Sequence, residues 1–165
     1  MKTKKMIVTA MMSCLSYVLS TFVHFPRMAP FQHMMNVICG VLLGPVWGFL
    51  SALITGVMRM ILGGRSIQAV IGAVVGAFLS AYLYKLTKKE YMAVVGEIIG
   101  TGIISALLVY PFMVGFYGLP AETPFWTFIP AFVPSSIIGS VIGFIVIKVL
   151  KKANAWSRLH AMLEN

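Results

Sequence analysis

Residues 91–112 read YMAVVGEIIGTGIISALLVYPF, and Glu97 is the only charged side chain among them. A helix needs roughly 20 apolar residues to cross the hydrocarbon core of a bilayer, and this stretch supplies them. Comparable runs lie on both sides of it, at about 5–24, 46–62, 67–84 and 124–150, with a shorter one at 33–44. Gly44-Pro45 ends the short run, because proline cannot continue a helix from the residues before it. The reading is an all-α membrane protein with six transmembrane helices.

Composition agrees. The 165 residues are 59% hydrophobic and only 10% charged, against about 25% charged in an average soluble domain. Mean hydropathy is +0.94. Six spans consume most of the length, so one membrane domain fills residues 1–165, with a polar cytoplasmic tail expected over 153–165. No GxxxxGK[ST] loop is present, and there is no room for an ATPase domain.

The net charge of +9 reports topology rather than a nucleic-acid surface, because the basic residues stand at the ends of the apolar runs. With the N-terminus inside, the inner segments hold Lys2, Lys4, Lys5, Lys85, Lys88, Lys89, Lys148, Lys151, Lys152 and Arg158. The outer segments hold only Arg27, Arg59 and Arg65. Both termini are therefore expected in the cytoplasm. The first run is long and lacks a small-x-small cleavage site, so it reads as a retained helix and not a signal peptide. Cys14 and Cys39 fall inside apolar runs and are expected to be buried thiols, neither disulfide-bonded nor metal-binding.

Small residues recur at helical spacing: Thr9, Ser13, Ser16 and Ser20; Ala69, Ala73, Ala77 and Ala81; Gly96 and Gly100; Gly139 and Gly143. Such residues let helix backbones approach closely in lipid. The stripe on the first helix is small and polar throughout, which sets it apart as a possible surface for something else.

Polar groups at membrane depth are costly, so each asks for an explanation. Glu97 has Thr101 four residues on, on the same face; it serves either as a hydrogen bond between helices or in substrate binding or coupling. Gln32, His33 and Asn36 gather where the loop around Pro26, Arg27 and Pro30 enters the second helix. Capping or packing would explain them, but ligand contact is favoured by their concentration. Arg59 either snorkels to the headgroups or touches a ligand or an outer loop. Tyr110, Tyr117, Phe125 and Trp126 read as an aromatic belt or as a wall against a flat ligand. Pro134 is expected to interrupt the sixth helix, leaving Ser135 and Ser136 to bond the freed carbonyl or a ligand. No HExxH, CxxC, paired-carboxylate or nucleophile motif occurs, so an enzyme acting on lipid has no catalytic constellation.

The segment Pro30-Phe31-Gln32-His33-Met34-Met35-Asn36-Val37-Ile38-Cys39-Gly40-Val41-Leu42-Leu43-Gly44-Pro45 resembles a hallmark of the ThiW family. Gly96-Glu97-Ile98-Ile99-Gly100-Thr101-Gly102 and Pro134-Ser135-Ser136-Ile137-Ile138-Gly139 extend the resemblance across about residues 5–150. ThiW proteins are substrate-binding S components of energy-coupling factor (ECF) importers. The resemblance implies a six-helix bundle in a prokaryotic plasma membrane, working with a transmembrane coupling protein and two ATPases. It implies a ligand near the outer face and, for this branch, the thiamine precursor 4-methyl-5-(2-hydroxyethyl)thiazole, with no cofactor. Thiamine or another small vitamin is the alternative cargo, and a self-standing carrier using Glu97 as its proton site is the alternative mechanism. A flat thiazole would want Phe31, Tyr110 and Trp126 as apolar faces. Gln32, His33 and Asn36 would bond its nitrogen or hydroxyl, and Glu97, with Thr101 on the same face, would accept the hydroxyl proton where it projects into the cavity. An AxxxA motif in the first helix contacts the coupling protein in S components; here that stretch is Ala10-Met11-Met12-Ser13-Cys14, with Cys14 replacing the second alanine.

Overall fold

The computed structural model describes residues 2–23 and 28–164, the side chain of Glu164 excepted. His24, expected to end the first span, and Pro26 and Arg27, expected in the outer loop after it, lie outside the described residues. Among the described residues seven helices follow one another: α1 Lys2–Phe22, α2 Pro30–Leu43, α3 Pro45–Ile61, α4 Gln68–Thr87, α5 Glu90–Tyr117, α6 Ile129–Lys152 and α7 Ala155–Glu164. Four of them, α1, α4, α5 and α6, are long and apolar enough to cross a membrane. The 14 residues of α2 and the 17 of α3 make shorter apolar helices.

The α2–α3 joint follows from Gly44-Pro45. Gly44 takes φ +82, where a Cβ would be strained. It still donates its N–H to the Gly40 carbonyl at 3.1 Å. Pro45 then opens α3 in the first-turn position, where its missing N–H costs nothing.

The bundle is apolar outside and, around α1 and α3, buries small polar residues. Thr9, Ser13, Ser16 and Ser20 of α1 are all buried, as are Ser51 and Thr55 of α3. Met6, Ile7, Met11, Leu15 and Val18 of α1 are exposed, as are Ile137, Ile138, Val141 and Ile145 of α6. That inversion suits lipid, where small and polar residues hold helices together. The polar stripe of α1 is therefore an internal seam: Ser13 Oγ lies 3.2 Å from Ser51 Oγ of α3. Cys39 is buried, but Cys14, expected to be buried too, is exposed. It follows Ser13 directly, about 100° around the helix and off the seam.

The sixth helix is not interrupted at Pro134. Pro134 lies in the second turn of α6, where the carbonyl it deprives is that of exposed Pro130. The chain after residue 152 is not a plain polar tail either. Trp156 and Leu163 of α7 are buried in one cluster with Met34, Met35, Val37 and Ile147, and Leu159 packs against it. Their three- and four-residue spacing gives α7 an apolar stripe that its low average hydropathy conceals. At the same end Lys148 and Lys151 of α6 both pair with Glu90 at the start of α5.

Candidate functional site

Helix α4 positions the site. Its buried face is Ala69, Gly72, Ala73, Gly76, Ala77, Ser80 and Ala81, with no bulky side chain. Neighbouring helices come close enough for their polar side chains to reach its backbone. Gln32 Nε2 of α2 donates to the Ala69 carbonyl at 3.4 Å, and Asn36 Nδ2 to the Ala73 carbonyl at 3.1 Å. From the other side, Ser105 Oγ of α5 donates to the Ile71 carbonyl at 2.9 Å.

Glu97 sits where these helices meet and is fully buried. Its Oε1 accepts from Asn36 Nδ2 at 2.9 Å and lies 2.9 Å from His33 Nδ1. Thr101 Oγ1 is 2.9 Å from the same oxygen and 3.1 Å from the Gly72 carbonyl, and its single proton serves one of them at a time. Oε2 has no hydrogen-bond partner among the described residues. The residues after Glu97, Ile98–Ser105, wind as a π-helix before α5 resumes as an α-helix, and such segments concentrate at functional sites. A methyl group at Gly76 would lie 2.8 Å from Glu97 Oε2 and would collide with Thr101 Oγ1, so only glycine fits opposite the carboxylate.

A cavity of about 630 Å³ opens above this network, where the starts of α2, α4 and α6 meet the end of α3. Its wall includes Gln32, His33, Arg59, Arg65, Phe128 and Phe132. His33 joins the two levels. With Nδ1–H given to Glu97, its Nε2 is the remaining ring nitrogen. Ser135 also lines the cavity, where its Oγ accepts the Ala29 N–H at 3.0 Å. Phe128 and Phe132 meet edge to face with ring centroids 6.3 Å apart, an arrangement that offers a flat ligand an aromatic surface.

Gln32, His33 and Ser135 thus reach the cavity, and Asn36, Glu97 and Thr101 stand behind it. The structure does not bring the remaining candidates to the wall. Phe31 is half-buried against the α2 cluster. Tyr110 donates its hydroxyl to the Ala121 carbonyl at 3.0 Å, and Trp126 is half exposed. Ser136 Oγ donates to the Val133 carbonyl at 3.0 Å. On α1, Ala10 and Cys14 are exposed, while Ser13 is buried against α3. Arg59 does not snorkel outward: it is 8% exposed and faces the cavity. Sequence reasoning missed Arg65, Phe128 and Phe132. The four-residue spacing of the two phenylalanines was the available signal; the exposed Phe125 and Trp126 beside them were the more conspicuous aromatics. Among the described residues no three His, Cys, Asp or Glu side chains gather as a metal site.

No curated protein and no solved structure matches this chain. A family model described as thiamine-precursor transporter protein (ThiW) matches residues 6–153. That span runs from α1 to the end of α6 and contains every element that builds the cavity. Apolar helices with a polar interior are what a multi-pass membrane transporter requires, and the chain belongs to the ThiW family of thiamine-precursor transporters.

Proposed function

We propose that this chain is the substrate-binding S component of an ECF-type importer, and that its cargo is hydroxyethylthiazole. The observation that carries the reading is the position of the cavity. It opens at the end of the bundle opposite Lys85, Lys88, Lys89, Lys148, Lys151 and Lys152. If α1 to α6 each cross the bilayer, the lysine-rich end is cytoplasmic by the positive-inside rule and the cavity faces outward. Both termini are then inside. The short α2 supports this arrangement: 14 residues rise about 21 Å, less than the roughly 30 Å of hydrocarbon. The missing length leaves depth for a binding chamber under the outer surface.

Capture uses groups already on the wall. Phe128 and Phe132 offer aromatic faces, and Gln32 and His33 offer orienting hydrogen bonds. Glu97, itself bonded by Asn36 and Thr101, holds His33 in place. The chain has no phosphate loop of its own, so release inward depends on a transmembrane coupling protein and two ATPases that reorient the subunit. Ala10 and Cys14, on the exposed face of α1, are the proposed contact with the coupling protein.

Calorimetry on the purified protein tests the cargo. Hydroxyethylthiazole binds more tightly than thiamine; equal or reversed preference removes the thiazole from the reading. Uptake by proteoliposomes tests the partners. It should require the coupling protein and ATPases. The buried His33–Glu97 contact favours a second reading, a proton-coupled carrier. Uptake without any partner, abolished by Glu97→Gln, would establish that reading instead.

A further inference from the structure

Arg59 and Arg65 are a pair of cations with no carboxylate partner among the described residues. Arg59 lies in the last turn of α3, is 8% exposed and lines the cavity. The chain then doubles back over it. Gly63 donates its N–H to the Met58 carbonyl at 3.4 Å, Gly64 turns at φ +60, and Arg65 donates its N–H to the Arg59 carbonyl at 3.1 Å. This loop sets Arg65 on the same wall, where the two guanidinium charges repel each other. Among the described residues, no side chain bonds the Arg59 guanidinium.

The four acids of the sequence are placed elsewhere. Glu90 pairs with Lys148 and Lys151, and Glu97 is enclosed behind His33 and Asn36. Glu122 is exposed, none of Glu90, Glu97 and Glu122 lines the cavity, and the backbone of Glu164 ends α7. A buried charge with no partner is strongly unfavourable, so its retention here calls for an anion that arrives from outside. An arginine fork matches the oxygens of a phosphate or carboxylate in a bidentate manner. The hydroxyl of a neutral thiazole alcohol cannot compensate the buried Arg59 guanidinium, and exposed Arg65 adds a second positive charge on the same wall.

We propose that the cavity selects an anionic form of the cargo, a thiazole bearing a phosphomonoester on its hydroxyethyl arm, with Arg59 and Arg65 as the phosphate-binding residues. This rests on the thiazole-uptake reading and sharpens its substrate. Lipid headgroup phosphates share the same chemistry, and the test separates them.

The experiment is calorimetry on the protein in phosphatidylcholine nanodiscs, with hydroxyethylthiazole and with its phosphate ester. The ester should bind at least tenfold more tightly than the alcohol. Arg59→Gln and Arg65→Gln should each lose that preference, read as the ratio of ester to alcohol affinity in the same protein. An ester that binds no better than the alcohol overturns the anion site and leaves the thiazole reading standing. A preference that disappears in phosphatidylglycerol discs assigns the arginines to lipid and overturns the site as well. If neither thiazole binds, the cargo reading falls, and thermal stabilisation by inorganic pyrophosphate decides the anion site. A rise in Tm that Arg59→Gln abolishes upholds it; an equal rise in both proteins overturns it.

Discussion

Glu97 has crowded contacts on one oxygen and none on the other, and that asymmetry makes its substitutions separable. Glu97→Gln keeps a carbonyl oxygen that can accept from Asn36 and His33, and places its amide near Gly76. Glu97→Ala leaves His33 and Asn36 without their shared acceptor. Interhelical hydrogen bonds in membrane proteins average about 0.6 kcal/mol each, and stranding a buried polar group adds about 1–3 kcal/mol. Glu97→Ala is therefore expected to cost about 2–3 kcal/mol and Glu97→Gln about 1 kcal/mol or less. Gly76→Ala should resemble the alanine variant, since its methyl group displaces Thr101 and the carboxylate together. Thermal unfolding in detergent measures all three, and a Glu97→Ala protein as stable as the parent would show that the network is not structural. Much of this network was legible in the sequence, because an apolar run makes a lone acid conspicuous and fixed helical spacing places Thr101 beside it. The partner across the bundle was not. Nothing in the spacing of His33 and Asn36 says that α4 is thin enough for α2 and α5 to meet over it.

At the scale of elements, α1 shows how helical phase sorts residues of similar size. Ala10, Ser13 and Cys14 are neighbours in sequence and share the stretch that the resemblance assigns to the partner. The helix turns Ser13 inward to Ser51 and leaves Ala10 and Cys14 outward. If the outer face docks the coupling protein, bulk at Ala10 or Cys14 should block coupling only. Ala10→Trp and Cys14→Trp should reduce energised uptake at least tenfold while binding by the purified subunit stays intact. Ser13→Leu should instead lower Tm, because the added volume separates α1 from α3. Uptake that survives both tryptophans would place the partner on another face. The elements themselves were largely legible, since Gly-Pro and the lysine clusters punctuate the runs. The continuity of α6 through Pro134 and the burial of α7 were not. The first depends on the proline lying near a helix start, and the second on three side chains that find their cluster only after the bundle has formed.

For the whole molecule, charge asymmetry and cavity position are independent observations that make one joint claim about orientation. Ten of the thirteen basic residues belong to the segments read as inner, and the cavity opens at the other end. A transporter that captures cargo from outside needs both to be true at once. Single cysteines in a Cys14→Ser, Cys39→Ser background can test them in intact cells. Ser66→Cys lies on the cavity wall, and Asn154→Cys lies in the exposed turn between α6 and α7. A membrane-impermeant maleimide added outside should label the Ser66→Cys protein and spare the Asn154→Cys protein until the cells are permeabilised. Cargo should slow labelling at the first site and leave the second unchanged. The reverse labelling pattern would turn the molecule over, put the cavity in the cytoplasm and make capture from outside impossible for this form of the protein. Labelling of both sites from outside would mean that one of α4, α5 and α6, the three helices between the two positions, fails to span, although each is long and apolar enough to cross a membrane.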